Sequence, residues 1–273
     1  MPFVEWRETV EGLVEPVSAQ NLLKCSSPGA GCEPTETCFL CGPCSSSLDV
    51  AWHLFASGSL EIWDSVICLS QWAGRGQMRR TWMSFPGNLY TAWRWPVPLK
   101  GWNTLLPLVA GYVIQDFFAG QGIDLQIKWP NDLLFEGRKI GGILIEEKQN
   151  VILVGVGINL VSSPARDMLR NDTCMPAGNL AAFFSDADFV PLWAKLVSRG
   201  RSCYTSLFTS YNPSGFASHI TPLLAFIHQN VRVITGEDEH HARLVGLYED
   251  GGLVLESHGT REVLYSGSIL PLA

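Results

Sequence analysis

The sequence predicts an α+β fold that ends in a small β-barrel. Two observations point there. Stretches of helical period alternate with short, closely spaced β segments through most of the chain. From about Val231 the texture changes to short strands separated by turns: VRVIT, ARLVGLY, LVLES and REVLYS. That tail has the size and rhythm of a small barrel of about fifty residues. With 273 residues and 47% hydrophobic content, the chain can bury one large core plus a small accessory domain. Ten Trp and thirteen Phe argue for a packed, aromatic-lined interior rather than disorder.

Residues 1–44 read as an extension of mixed character, with Pro, Gly and Ser crowded between Cys25 and Pro34. It is too short and irregular for a helix-turn-helix domain. Its start, MPFVEWRETVEG, lacks the basic residues and apolar core of a signal peptide. Ser46 with Asp49 three residues on is a capping-box pattern. Leu48, Ala51, Trp52 and Phe55 then follow helical spacing, and Gly58 terminates the helix. Residues 66–72 and 88–95 read as strands around a Gly/Arg-rich loop. Residues 103–118 read as a helix with Leu105, Leu108, Val109, Tyr112 and Phe117 toward the core, ended by Gly120 and Gly122. Strands follow at 125–129, 140–146 and 151–159, the last two as a hairpin. Residues 189–208 form a long amphipathic helix, and Asp250-Gly251-Gly252 is a hairpin turn in the tail. The expected domains are 1–44, 45–222 and 223–273. The richest apolar run, residues 105–114, is interrupted by Pro107 and Gly111 and is too short to span a bilayer. A cytoplasmic protein without membrane contact is expected.

The most informative segment is GRGQMRRTW at 74–82. It lies in a stretch, residues 65–115, that holds no Asp or Glu but carries Arg75, Arg79, Arg80, Arg94 and Lys100. The whole chain has formal net charge −7. A Gly/Arg loop free of carboxylates in an acidic protein suits an anion: glycines admit backbone N–H groups, and Arg forks phosphate or carboxylate oxygens. The competing reading is a solvated basic turn. The negative charge, with no long Lys/Arg block, argues against general DNA or RNA binding.

Further along, Lys128-Trp129-Pro130-Asn131-Asp132 gathers a cation, an aromatic face, an amide and a carboxylate at a strand end. Lys139 stands before Gly141-Gly142 in KIGGIL, where strand glycines suit close approach of a ligand anion or, alternatively, a bulge. Gly155-Val156-Gly157-Ile158-Asn159 is a glycine-spaced strand end, not a dinucleotide fingerprint. There is no P-loop, kinase signature or G-x-S-x-G elbow. His240-His241 reads as a solvated hairpin edge. Five of eight cysteines fall at Cys25, Cys32, Cys38, Cys41 and Cys44. Cys38-x-x-Cys41-x-x-Cys44 could ligate zinc with Cys25 or Cys32, but two separated C-x-x-C pairs are lacking. The alternative is small core side chains in a strand and loop, with no essential metal.

In order, SSSLD at 45–49, GRGQMRRTW at 74–82, FPGNLY at 85–90, KWPND at 128–132, KIGGIL at 139–144 and GVGIN at 155–159 closely resemble the motifs of the biotin protein ligases. The resemblance runs from about residue 44 to the C-terminus. It implies a mixed, mostly antiparallel sheet flanked by helices, plus the barrel. It implies a two-step activity: biotin and ATP with Mg²⁺ give biotinyl-adenylate, and the biotinyl group passes to a lysine of an acceptor. That acceptor would be the biotin carboxyl-carrier domain of a biotin-dependent carboxylase or decarboxylase. Carried over, Ser46, Ser47, Leu48 and Gln71 would meet biotin. Gly74, Arg75, Gly76 and Gln77 would line its tail. Lys139 would hold the biotin carboxylate and α-phosphate, with Gly142 permitting close approach. Arg80, Trp82, Lys128, Asn131, Asp132 and Asn159 would serve the nucleotide, and Lys139, Arg75, Arg80 and Asp132 the chemistry. Two positions depart from the pattern: Gln77 stands where Arg is frequent, and Leu48 where Asn is frequent. With no DNA-binding domain before the motifs, the resemblance implies a monofunctional enzyme, and it leaves room for a homodimer. A lipoate protein ligase and a non-catalytic biotin or adenylate sensor are the rival readings.

Overall fold

A computed structural model describes residues 3–5, 36–169, 175–185 and 188–272. They belong to two compact units: Met1–Val97, Ile140–Pro164 and Gly178–Arg201 in one, and Pro98–Lys139, Ala165–Ala177 and Ser202–Ala273 in the other. The large sheet is mixed, helices flank it, and the C-terminal sheet is antiparallel.

In the first unit the strands are β1 (Phe3–Glu5), β2 (Cys38–Cys41), β3 (Ser65–Cys68) and β4 (Leu89–Trp95). Two more are β7 (Arg138–Lys148, mostly in this unit) and β8 (Val151–Ile158), in the order β1-β2-β3-β4-β8-β7. β1, β2 and β3 pair in parallel, and the remaining neighbours are antiparallel. Inside the stretch expected to be an irregular extension, Cys38–Cys41 thus forms an integral strand, with Cys41 opposite Cys68. Four residues between Gly and Pro punctuation offer no period to read.

Helix α1 (Ser47–Ala56) starts where Ser46, in an extended conformation, accepts the Leu48 N–H at 3.2 Å. Asp49 does not close the expected capping box. Its Oδ2 takes the Ser45 hydroxyl at 2.7 Å and its Oδ1 faces Arg75. Gly58, at φ +75°, turns the chain out of the helix. Leu48, Ala51 and Leu54 of α1 pack on Val66, Tyr90, Ala92 and Leu153 of the sheet. Cys41, Cys44 and Cys68 are buried in that cluster. The Cys41 thiol donates to the Ile67 carbonyl. Among the described residues no His, Cys, Asp and Glu group is arranged to hold a metal ion. Cys25 and Cys32 lie outside the described residues. Helix α3 (Phe189–Ser210) fixes its register through Trp193, whose Nε1 donates to Ser65 Oγ at 2.9 Å and whose ring meets Trp93 edge-on.

In the second unit a 3₁₀ turn at Asn103–Leu105 leads into α2 (Leu106–Ala119), because Pro107 is tolerated only in a first helical turn. β5 (Gln126–Lys128) and β6 (Asp132–Phe135) form a hairpin that places Lys128 opposite Asp132. α2 lies against β5 at Gly111, where a Cβ would meet Ile127 Cγ2 at 3.4 Å, close to ordinary contact. Helix α4 (Pro213–Ile220) is capped by Asn212, whose side chain accepts the Gly215 N–H at 2.7 Å.

The tail holds β9 (Asn230–Thr235), β10 (Asp238–Leu247), β11 (Leu253–Ser257), β12 (Thr260–Leu264) and β13 (Ser268–Pro271), in the order β12-β11-β10-β9-β13. Asp250-Gly251-Gly252 makes the expected turn, with Gly251 at φ +89°. His240 sits on β10 beside Glu262 at 2.8 Å. Among the described residues no helix is long and apolar enough to cross a membrane.

Candidate functional site

In the first unit, the Gly/Arg segment is a closed excursion. Gly76 N–H donates to the Arg80 carbonyl at 2.7 Å, and Trp82 N–H donates to the Gly74 carbonyl at 2.8 Å. Residues Gln77–Arg79 make a 3₁₀ turn in which Met78 takes φ 55°. Gly74 is required here: a Cβ would fall 2.6 Å from the Trp82 carbonyl oxygen. Gln71 ties the excursion to α1. Its Oε1 accepts the Ser47 N–H at 2.8 Å and its Nε2 donates to Ser84 Oγ at 3.2 Å. The fold therefore brings together Ser46, Ser47, Leu48, Gln71 and Gly74, with Ser46 and Ser47 buried at the helix N-terminus. The Ser47 and Leu48 N–H groups are taken by Gln71 and Ser46, and the helix start adds a positive dipole end.

The segment lacks carboxylates of its own, but the fold supplies two. Arg75 Nη1 lies 2.7 Å from Asp49 Oδ1 and Nη2 lies 3.0 Å from Glu146 Oε1. Burial opposes the guanidinium charge, yet the two carboxylates outweigh it and raise the Arg75 pKa. Arg80 is exposed and Gln77 half-buried.

Both glycines of GVGIN have steric reasons. A Cβ on Gly155 would meet Leu48 Cδ1 at 2.8 Å, and one on Gly157 would meet the Trp82 indole at 2.7 Å. Gly142 is the register partner of Gly157 across β7 and β8. Asn159 donates through Nδ2 to the Gly178 carbonyl at 3.0 Å. Its buried Oδ1 has no hydrogen-bond partner among the described residues.

In the second unit, Asp132 bridges two cations. Lys128 Nζ lies 3.1 Å from Oδ2, and Lys139 Nζ lies 2.5 Å from Oδ1. Burial alone would raise the Asp132 pKa. Lys139 and then Lys128 outweigh it and hold the carboxyl below its usual range. Asp132 thus stands between two ammonium groups. Asn131 sits in the turn between β5 and β6. Lys139 is held by its backbone N–H, which donates to the Pro176 carbonyl at 2.8 Å.

Sequence reasoning missed Glu146 and Ser84, which carry no motif signal. It met Asp49 only as a cap.

The Biotin/lipoate A/B protein ligase family profile matches residues 42–161. The chain is 31% identical over 227 residues to the Escherichia coli bifunctional ligase/repressor BirA, covering 78% of this chain and 67% of that protein. It is 24% identical over 216 residues to the biotin–[acetyl-CoA-carboxylase] ligase of Paracoccus denitrificans, covering 75% of this chain and 88% of that protein. The structure of the Aquifex aeolicus biotin protein ligase, in complex with biotin and ATP, superposes with TM-score 0.69 at 23% identity, over 85% of this chain and 97% of that one.

Proposed function

We propose that this chain, which belongs to the biotin protein ligase family, activates biotin as biotinyl-5′-AMP and transfers it to one lysine of a biotin carboxyl-carrier domain. It is a ligase. The observation that carries the adenylate step is Asp132 held between the ammonium groups of Lys128 and Lys139.

The first step joins two anions. A biotin carboxylate oxygen attacks the α-phosphorus of ATP, a C–O–P mixed anhydride forms, and pyrophosphate leaves. Negative charge builds around phosphorus as this happens, so a preplaced ammonium such as that of Lys139 stabilises the transition state. Mg²⁺ enters with ATP as part of the substrate and assists the leaving pyrophosphate. In the second step the neutral amine of an acceptor lysine attacks the acyl carbon, an amide forms and AMP departs. Ser46, Ser47 and Gln71 are assigned to the biotin head group, and the backbone of Gly74, Arg75 and Gly76 to its tail. Lys139 takes the carboxylate and α-phosphate, with Gly142 leaving room. Arg80, Trp82, Lys128, Asn131 and Asp132 take the nucleotide side. The unpartnered Oδ1 of Asn159 suits an N–H donor such as the adenine amino group.

The test is a panel of biotin and lipoyl acceptor domains incubated with protein, ATP, Mg²⁺ and either acid, read by mass. One biotinyl group on the biotin acceptor is the expected result. Lipoyl transfer, or no transfer to any acceptor, overturns the assignment.

Two variants probe the details. Gly157→Ala puts a methyl group into the Trp82 indole. Overpacking of this kind costs about 1–3 kcal/mol, so ATP affinity should fall about tenfold. Unchanged ATP affinity would remove Trp82 from the nucleotide side. Gln77 is neutral and cannot make a charge-assisted fork with phosphate. Gln77→Arg is expected to slow escape of preformed adenylate roughly 5–30-fold, equivalent to ~1–2 kcal/mol. Equal or faster release would mean that other groups already close the site.

A further inference from the structure

We infer that Asp49 and Glu146 are positioning residues that latch Arg75 and so order the Gly74–Gly76 end of the loop before any ligand arrives. Three elements meet at this guanidinium: the first turn of α1, the strand β7 and the loop itself. Each carboxylate is fixed at both oxygens. Asp49 faces Arg75 through Oδ1 and takes the Ser45 hydroxyl on Oδ2. Glu146 faces Arg75 through Oε1 and takes the Trp52 indole N–H on Oε2 at 2.6 Å. Lys148 lies over the Trp52 ring at 4.7 Å, holding the far side of the same arrangement.

This gives Arg75 a role different from that of an anion hook. Its two terminal nitrogens already face carboxylates, and two negative charges surround one positive charge. An incoming carboxylate or phosphate gains little from such a guanidinium. What the ligand gains is backbone that does not have to be ordered when it binds. The carboxylates come from positions far from the loop in sequence, so the latch forms only once α1 and β7 are packed.

The inference rests on the biotin-ligase reading, and its test separates the two. Wild-type biotin affinity is measured first by calorimetry. Glu146→Gln and Asp49→Asn keep side-chain size and remove one charge each. Each should raise the biotin Kd and KM about 3- to 5-fold, with kcat unchanged within twofold. Trypsin should cut within residues 74–82 faster than in wild type when no ligand is present. Arg75→Ala should cost the same alone as combined with Glu146→Gln, because either change opens the latch. Arg75→Lys should restore part of the affinity. If Arg75 instead served the ligand anion, Glu146→Gln would free it and tighten binding, and the two changes would add independently. That pattern, or unchanged proteolysis and affinity in both charge variants, overturns the latch. A wild-type protein that fails to bind biotin, but whose loop is cut faster in the variants, overturns the biotin reading and leaves the latch standing.

Discussion

Lys139→Ala is expected to slow adenylate formation about 100-fold, on the order of 3 kcal/mol in the barrier. The argument is electrostatic. Lys139 and Lys128 share Asp132, and an ammonium already fixed in place is what a doubly anionic encounter requires. Removing Lys139 takes one such ammonium away where negative charge is growing. Burial pushes the Asp132 pKa up, and Lys139 and Lys128 together hold it below its usual range. Lys139→Arg keeps a cation beside Asp132 and so separates loss of the ammonium from any change in Asp132. Biotin- and ATP-dependent pyrophosphate exchange measures the rate directly, and Lys139→Arg should recover part of it. Exchange at the wild-type rate in Lys139→Ala would remove this lysine from the chemistry.

The parts of the site visible in the sequence are those whose chemistry is local. KWPND announces a strand end with a cation and a carboxylate four residues apart, and the fold closes them into a pair at 3.1 Å. GRGQMRRTW marks a Gly/Arg loop, and Gly74 in it is pressed against Trp82. What stayed hidden depends on residues far apart in the chain. The charge pattern of residues 65–115 showed no carboxylate near Arg75, because Asp49 and Glu146 lie 26 and 71 positions away. The glycines of GVGIN mark a glycine-spaced strand end in the sequence. Their immediate cause is packing, by Leu48 of α1 and the indole of Trp82. That same contact gives the departure at position 48 a physical sense: Leu48 is a buried apolar side chain filling the space Gly155 leaves. The short elements β6, α4 and β13 were missed because four to eight residues carry too little periodicity to separate strand or helix from turn.

Asp132→Asn should produce the largest loss of stability of any single charge change at the site, about 3 kcal/mol. Taking one partner from a buried ion pair leaves an uncompensated charge, which costs ~3–5 kcal/mol where both groups are deeply buried. Lys128 meets that condition, with its side chain 7% exposed. Lys139 is 33% exposed and can turn toward water, so the lower end of the range applies. The pH dependence has a definite sign. A carboxyl whose pKa is depressed in the folded state contributes stability above its unfolded pKa of about 4 and loses it as pH falls through the lower, folded value. The gap between wild type and Asp132→Asn should therefore be level from pH 5 to 8, on the order of 3 kcal/mol, and should close below about pH 4 as wild-type Asp132 takes up its proton. Urea unfolding of both proteins across this range measures it. Equal stability at pH 7, or a gap that widens in acid, would mean that the two lysines are solvated well enough to need no counter-ion. Asp132 would then not be what places the two ammonium groups assigned to adenylate formation.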